Sequence, residues 1–157
     1  MEQRKYETGA VRDSREGKGR FDLMPLDVAA DVMDCKNEEK QVTELLRDID
    51  IFKITSESYY LENALRSAAD LMYGGSREAM LLDVGKLFES GAEKYGERNW
   101  EKGIPISSYI DSGVRHLLKY LNGETDEAHD RAFVWNLMCA IWTKTHKPEM
   151  DDYTDGP

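Results

Sequence analysis

Apolar residues in this chain recur every three to four positions and nowhere alternate with a period of two, which confines the fold to packed helices. Val42, Leu45, Leu46, Ile49 and Phe52 fall at i, i+3, i+4, i+7 and i+10, and Leu61, Ala64, Leu65, Ala68 and Met72 make a second stripe. Two helices are expected there, separated near residues 55–58. Gly74 and Gly75 close the second, and Ser76 stands where an N-cap opens a third that carries Leu81, Leu82 and Phe88 down to Tyr95 and Gly96. Pro25 suits the first turn of a short helix over residues 26–33. Ser107 is expected to cap a helix with Ile110, Val114, Leu117, Leu118 and Leu121 inward, ended by Asn122 and Gly123. A last helix, over about residues 126–144, bears Phe133, Val134, Leu137, Met138, Ile141 and Trp142 on more than one stripe, so it should be buried on several sides, centrally or at a subunit interface. No internal repeat or low-complexity tract interrupts this pattern. The fold class expected is all-α.

A chain of 157 residues makes about one domain. Its net charge of -10 argues against general nucleic-acid binding, which needs a basic face. A phosphate-bearing ligand would therefore need local cations or metals. The one basic region is an N-terminal loop, residues 1–25, with Arg4, Lys5, Arg12, Arg15, Lys18 and Arg20. The opening residues lack an apolar leader, and the longest strongly apolar run, residues 132–142, is too short to span a bilayer, so a soluble, non-exported, cytoplasmic protein with no membrane partner is expected. Cys35 and Cys139 have no metal-ligand spacing and read as free thiols of a reducing compartment, Cys139 as a small buried hydrophobe. Trp135 and Trp142 read as core, and Asn136 as a buried amide that must find a partner. After Pro148 an acidic tail, residues 148–157, is expected to be flexible.

Chemistry first suggests itself in four carboxylates. Glu89 with Glu93, and Glu127 with Asp130, are spaced to share one face of a helix each. Like charges so placed repel unless a cation lies between them, and hard oxygen ligands of this kind hold Mg2+ or Mn2+ and bridge them to substrate phosphates. The plainer reading is a solvated acidic face. Asp126 is a reserve ligand or a first-turn residue favoured by the helix dipole. Between the two pairs, the loop at 96–105 concentrates Arg98, Asn99, Trp100 and Lys102.

The strings GAVRDSREGKGRFDLMP, FESGAEKYGERNWEKGIP and DSGVRHLLKYLNGETDEAHDRAFVWN together resemble the dATP/dGTP diphosphohydrolase N-terminal family, common in phage genomes and related to the all-α MazG-like nucleoside triphosphate pyrophosphohydrolases. The resemblance covers residues 9–33 and about 87–143. It implies a MazG-like helical bundle in a single domain, with residues 34–81 as a helical insertion and 82–146 as a metal-binding helical core. It also implies metal-dependent hydrolysis of dGTP or dATP to monophosphate and pyrophosphate, in the host cytoplasm if the chain is phage-encoded. Glu89, Glu93, Glu127 and Asp130 would be the metal ligands, with Glu93 alternatively the base. Lys94, Arg98 and Lys102 would meet outer phosphates, and Arg12, Lys18 and Arg20 would close over the nucleotide. Trp100 would stack on the base, or else simply pack, and Asn99 would hydrogen-bond to the base. Arg115 and His116 of the RHL motif would lie beside substrate, against the plainer readings of an Arg115–Asp111 pair and a structural histidine.

A rival from another class is a nucleotide sponge or sensor that binds without cleaving. Three core helices with a last helix apolar on more than one side should not close a core alone, so a homodimer or a tetramer of dimers is expected.

Overall fold

The computed structural model describes residues 2–34 and 40–153. Cys35 therefore lies outside the described residues. Among them, a hairpin of β1 (Gln3–Lys5) and β2 (Val11–Asp13) precedes six helices: α1 (Leu26–Met33), α2 (Lys40–Thr55), α3 (Ser58–Met72), α4 (Arg77–Tyr95), α5 (Ile106–Leu121) and α6 (His129–His146). Short 3-10 turns cover Asn99–Lys102 and Pro148–Met150. The all-α class holds, and no helix among the described residues is long and apolar enough to cross a membrane.

Helix α6 packs on α3, α4 and α5, which answers why its sequence is apolar on several sides: it is central. Phe133, Leu137 and Ala140 enter one core with Leu45, Ile49 and Phe52 of α2, Leu61 and Ala64 of α3, and Tyr109, Ile110 and Leu117 of α5. Burying each large side chain there contributes about 1.5–3 kcal/mol. The stretch expected as an insertion thus supplies α2 and α3 to the common core. A smaller cluster of Ala69, Met80, Val84 and Val134 seats α4 on α3 and α6. Helices α5 and α6 approach closely at Gly113, where a Cβ would stand 3.0 Å from Leu137 Cδ1. Cys139 is a buried free thiol whose pKa burial pushes up.

Ser76 caps α4 as expected, accepting from Ala79 N–H at 3.1 Å. Four local expectations are corrected. The basic leader is not all loop: Arg4 faces Arg12 across an antiparallel hairpin, turned at Gly9 with φ +90°. Three-residue strands are too short to show alternation. Ser107 does not cap α5; Pro105 precedes the helix, and Asp152 accepts from Ser107 N–H at 2.9 Å and from its hydroxyl. This binds the acidic tail, in which Asp151 also pairs with Lys144 at 2.9 Å and Tyr153 packs edge-on to Phe52. Residues 148–153 are consequently built into the fold. Last, α6 begins at His129, so Glu127 precedes the helix and does not share a helical face with Asp130.

Asp83 of α4 links three elements: it accepts from Arg131 Nε and Nη2 at 3.2 and 2.8 Å and from the Tyr73 hydroxyl at 2.7 Å. Burial works to raise its pKa, but the bonds from Arg131 and Tyr73 outweigh it and hold the carboxyl below the ordinary range. A carboxyl depressed in the folded state adds stability that is present above about pH 4 and is lost as pH falls through its folded pKa. Asp83→Asn should therefore cost about 1–2 kcal/mol in urea unfolding at pH 7 and progressively less toward pH 3; an equal cost at both pH values would contradict it.

Candidate functional site

One cavity, of about 270 Å³, opens between the N-terminal segment, α4, the turn after it, α5 and the start of α6. Its walls carry Arg4, Arg12, Arg15 and Lys18 from the N-terminal segment, Arg98 from the turn, and Arg115 and Lys119 from α5. Against these cations stand Asp13 and Glu127. Phe88, Tyr95, Trp100 and Trp135 make the aromatic part of the lining.

The hairpin is pinned over the cavity by two sets of bonds. Asn99, almost fully buried, accepts from Val11 N–H and donates to Val11 O, both at 2.9 Å, acting as an extra strand partner for β2. Asp13 accepts from Lys94 Nζ at 2.9 Å and from the Tyr95 hydroxyl at 2.6 Å. Burial pushes the Asp13 pKa up, but Tyr95 and Lys94 outweigh it and keep the carboxylate charged. Beneath, the Arg12 guanidinium lies over the Tyr109 and Trp135 rings, 5.2 and 5.7 Å from their centroids, and donates Nη2–H to Asn136 Oδ1 at 2.9 Å. Asn136 also donates to Ala132 O, so the buried amide has its partners. Among the described cavity residues two buried donors have none: Arg12 Nη1 and Trp135 Nε1. Unpaired buried donors cost about 1–3 kcal/mol each, a cost that a ligand acceptor would relieve.

On the opposite wall Arg115 pairs with Asp111 at 3.5 Å and donates to Ser112 Oγ at 3.2 Å, while Asp111 accepts Phe21 N–H at 2.6 Å. Next to it the Nδ1 atoms of His116 and His129 lie 2.9 Å apart, and His129 Nε2 meets Asp126 Oδ1 at 2.7 Å. Burial, then Arg115 and other cations, hold the His116 pKa down at about 3, so its ring is neutral at neutral pH. Ligand atoms of His116, Glu127 and His129 all lie within 4.8 Å of one another.

The sequence model of one family, described as dATP/dGTP diphosphohydrolase, N-terminal, matches residues 62–153. The chain belongs to this family. No curated protein and no solved structure matches the chain. The family is named for a dATP/dGTP diphosphohydrolase, which supports a hydrolase. The matched range begins inside the stretch expected as an insertion and includes α4, α5 and α6; the hairpin that covers the cavity precedes it.

Of the residues named from sequence, Arg12, Lys18, Arg98, Asn99, Trp100, Arg115, His116 and Glu127 line the cavity of this family member. Asn99 has both ends of its amide occupied by Val11, so it positions the hairpin instead of reading a base. Trp100 both lines the cavity and packs, edge-on to Phe88 and Trp142 at 5.7 and 5.0 Å. Lys94 is engaged by Asp13, and Arg20 is paired bidentately with Asp22; neither lines the cavity, nor does exposed Lys102. Glu89 and Glu93 are exposed. Leu87, Phe88, Gly91, Ala92 and Tyr95 turn the cavity face of α4, and at 3.6 residues per turn Glu93 lies on the opposite side. Asp130 accepts Arg131 N–H and does not line the cavity. The two acid pairs are thus not brought together, and Glu127 alone among the four faces the cavity.

Sequence reasoning missed His129, Asp13 and Lys119, and counted Arg4 and Arg15 only with the basic N-terminal loop. Asp126 three residues before His129 was the available signal for the first; Arg4 could be placed only once the hairpin register set it opposite Arg12. Asn99→Ala would orphan the Val11 N–H and C=O and should cost about 1–3 kcal/mol, together with faster amide exchange at Val11 than in the parent. Unchanged exchange there would show that the hairpin docks without Asn99.

Proposed function

We propose that the protein hydrolyses purine deoxynucleoside triphosphates, dGTP or dATP, between the α and β phosphates to give the monophosphate and pyrophosphate. The observation that carries this reading is the gathering of seven cationic side chains against two carboxylates around one cavity, in a chain whose net charge is -10. A polyanion would relieve such crowding. Arg12 Nη1 and Trp135 Nε1 add unpaired donors for its oxygens, and Phe88, Trp100 and Trp135 add an apolar wall that suits a purine.

Division of labour follows from position. Lys18, Arg98 and Lys119, at the more exposed end, would take the outer phosphates, while Arg12 and Arg115 would hold the inner ones. Cleavage needs water positioned in line with the leaving pyrophosphate. Glu127 and neutral His116 are the cavity groups able to accept a hydrogen bond from that water. Mg2+ or Mn2+, held by the substrate phosphates and the Glu127 carboxylate, would supply charge neutralisation and a more acidic water. The same cations would also serve a nucleotide sponge, which would bind without releasing pyrophosphate.

Incubation with each of the eight common nucleoside triphosphates and Mg2+ or Mn2+, with products separated by anion exchange, should give monophosphate and pyrophosphate from dGTP or dATP. Glu127→Gln should lower kcat at least about 10²-fold, whereas Glu93→Gln should stay within about twofold. Lys18→Met and Lys119→Met should each raise KM about tenfold through loss of a charged phosphate contact. Tight binding of these nucleotides without pyrophosphate release would replace the hydrolase by the sponge.

We also propose a homodimer. Leu81 and Leu82, 52% and 78% exposed on α4, form an apolar pair suited to a second copy. Light scattering at micromolar concentration should give twice the chain mass, and Leu82→Glu should return it to one.

A further inference from the structure

We propose that His116, Glu127 and His129 form a binding site for a borderline transition ion of the Mn2+, Co2+ or Zn2+ class, with Asp126 orienting His129 from outside. The site stands on its own geometry, and only its catalytic use rests on the hydrolase reading.

Three independent elements converge on it: His116 comes from the middle of α5, His129 from the first position of α6, and Glu127 from the turn between them. Their ligand atoms lie within 4.8 Å of one another. The two imidazole Nδ1 atoms are 2.9 Å apart. Two nitrogens bound at about 2.1 Å to one ion, with bonds meeting near a right angle, stand about 3.0 Å apart. The pair is therefore close to the separation of two neighbouring ligands on an octahedral ion, and a small outward shift to about 3.4 Å would suit a tetrahedral one.

The hydrogen-bond direction supports the same assignment. Asp126 Oδ1, 2.7 Å from His129 Nε2, accepts the proton of that nitrogen, and this leaves His129 Nδ1 as a bare lone pair. The arrangement is a carboxylate–histidine pair of the kind that fixes the tautomer and ring orientation of metal ligands. His116 Nδ1–H donates to that lone pair, and an ion would take the place of this proton, with His116 protonated at Nε2 instead, so that both Nδ1 lone pairs aim at it. The rings are tilted by 35° and their centroids are 5.2 Å apart, so neither covers the other's nitrogen. His129 is almost wholly buried and cannot turn away, while Glu127 is exposed and free to swing inward.

The donor set selects the ion. Imidazoles suit Zn2+, Cu2+, Fe2+ and Ni2+, whereas Mg2+ prefers oxygen and keeps its waters. Two nitrogens and one carboxylate therefore favour a transition ion over Mg2+. Arg115 and Lys119 stand close by, so positive charge added here is best tolerated when phosphate oxygens share the site. The ion should bind more tightly in the presence of pyrophosphate.

The test is titration of the full-length, EDTA-dialysed protein with Co2+, followed by its visible absorption bands. One equivalent should saturate the wild type, Zn2+ should displace it, and Mg2+ at the same concentration should not. Asp126→Asn should weaken binding about tenfold. His129→Gln and Glu127→Gln should weaken it further; because the Glu127 carboxylate is exposed, that variant decides the matter should His129→Gln fail to fold. Pyrophosphate should lower the apparent Kd for Co2+ in the wild type. Binding that is unchanged by Glu127→Gln, or equal displacement by Mg2+ and Zn2+, overturns the site. Wild type that releases pyrophosphate from dGTP yet shows no Co2+ bands removes the site and keeps the hydrolase; Co2+ bands without any hydrolysis keep the site and remove the hydrolase.

Discussion

Burial of α6 against three neighbours is the constraint on which the architecture rests. A helix that hides Phe133, Val134, Leu137 and Ala140 in different directions must be surrounded, and α3, α4 and α5 are the elements that surround it. Their placement then follows from packing: Gly113 lets α5 approach α6 closely, and the cluster around Val84 and Val134 fixes α4. Because α4 and α5 both lean on α6, the cavity lies between them.

Crowded positive charge is the second constraint. Arg4, Lys18 and Arg115 all have pKa values lowered, first by burial and also by neighbouring cations, Arg12 and Arg15 for Arg4, Arg115 for Lys18, and Arg12 for Arg115. The surroundings answer this at each point: Asp111 under Arg115, Asn136 on Arg12, and Asp13 between Lys94 and Tyr95. These acids and amides hold the cations in place, and the cavity lining still sets seven cations against two carboxylates. A buried cation left without a partner is costly, and this excess is what the proposed polyanionic substrate would neutralise.

The contrast between the two acid pairs shows how far spacing alone reaches. Glu89 and Glu93 do share one face of α4, as their spacing requires, but that face looks away from the cavity because Phe88, Gly91 and Ala92 occupy the other. Glu127 and Asp130 are separated by the start of α6 itself, since the Asp126–His129 bond and the turn at 127–129 delay the helix. Periodicity tells which residues lie together on an element. It does not tell which side of that element meets the ligand.

The sequence by itself determined the helical class, the boundaries of α1 and α3, the Ser76 cap, the Arg115–Asp111 pair and the basic N-terminal segment, because each of these depends on residues within a turn or two of one another. The family resemblance was legible for the same reason, in short contiguous motifs. What only the tertiary structure decided were contacts across long separations. Asn99 reaches Val11 over 88 positions, Asp13 reaches Tyr95 over 82, and Asp152 caps α5 from 45 residues away. His116 and His129 meet only because α5 and α6 are antiparallel neighbours joined by a short turn. Such contacts are set by packing free energy summed over the whole core, and no local pattern encodes them.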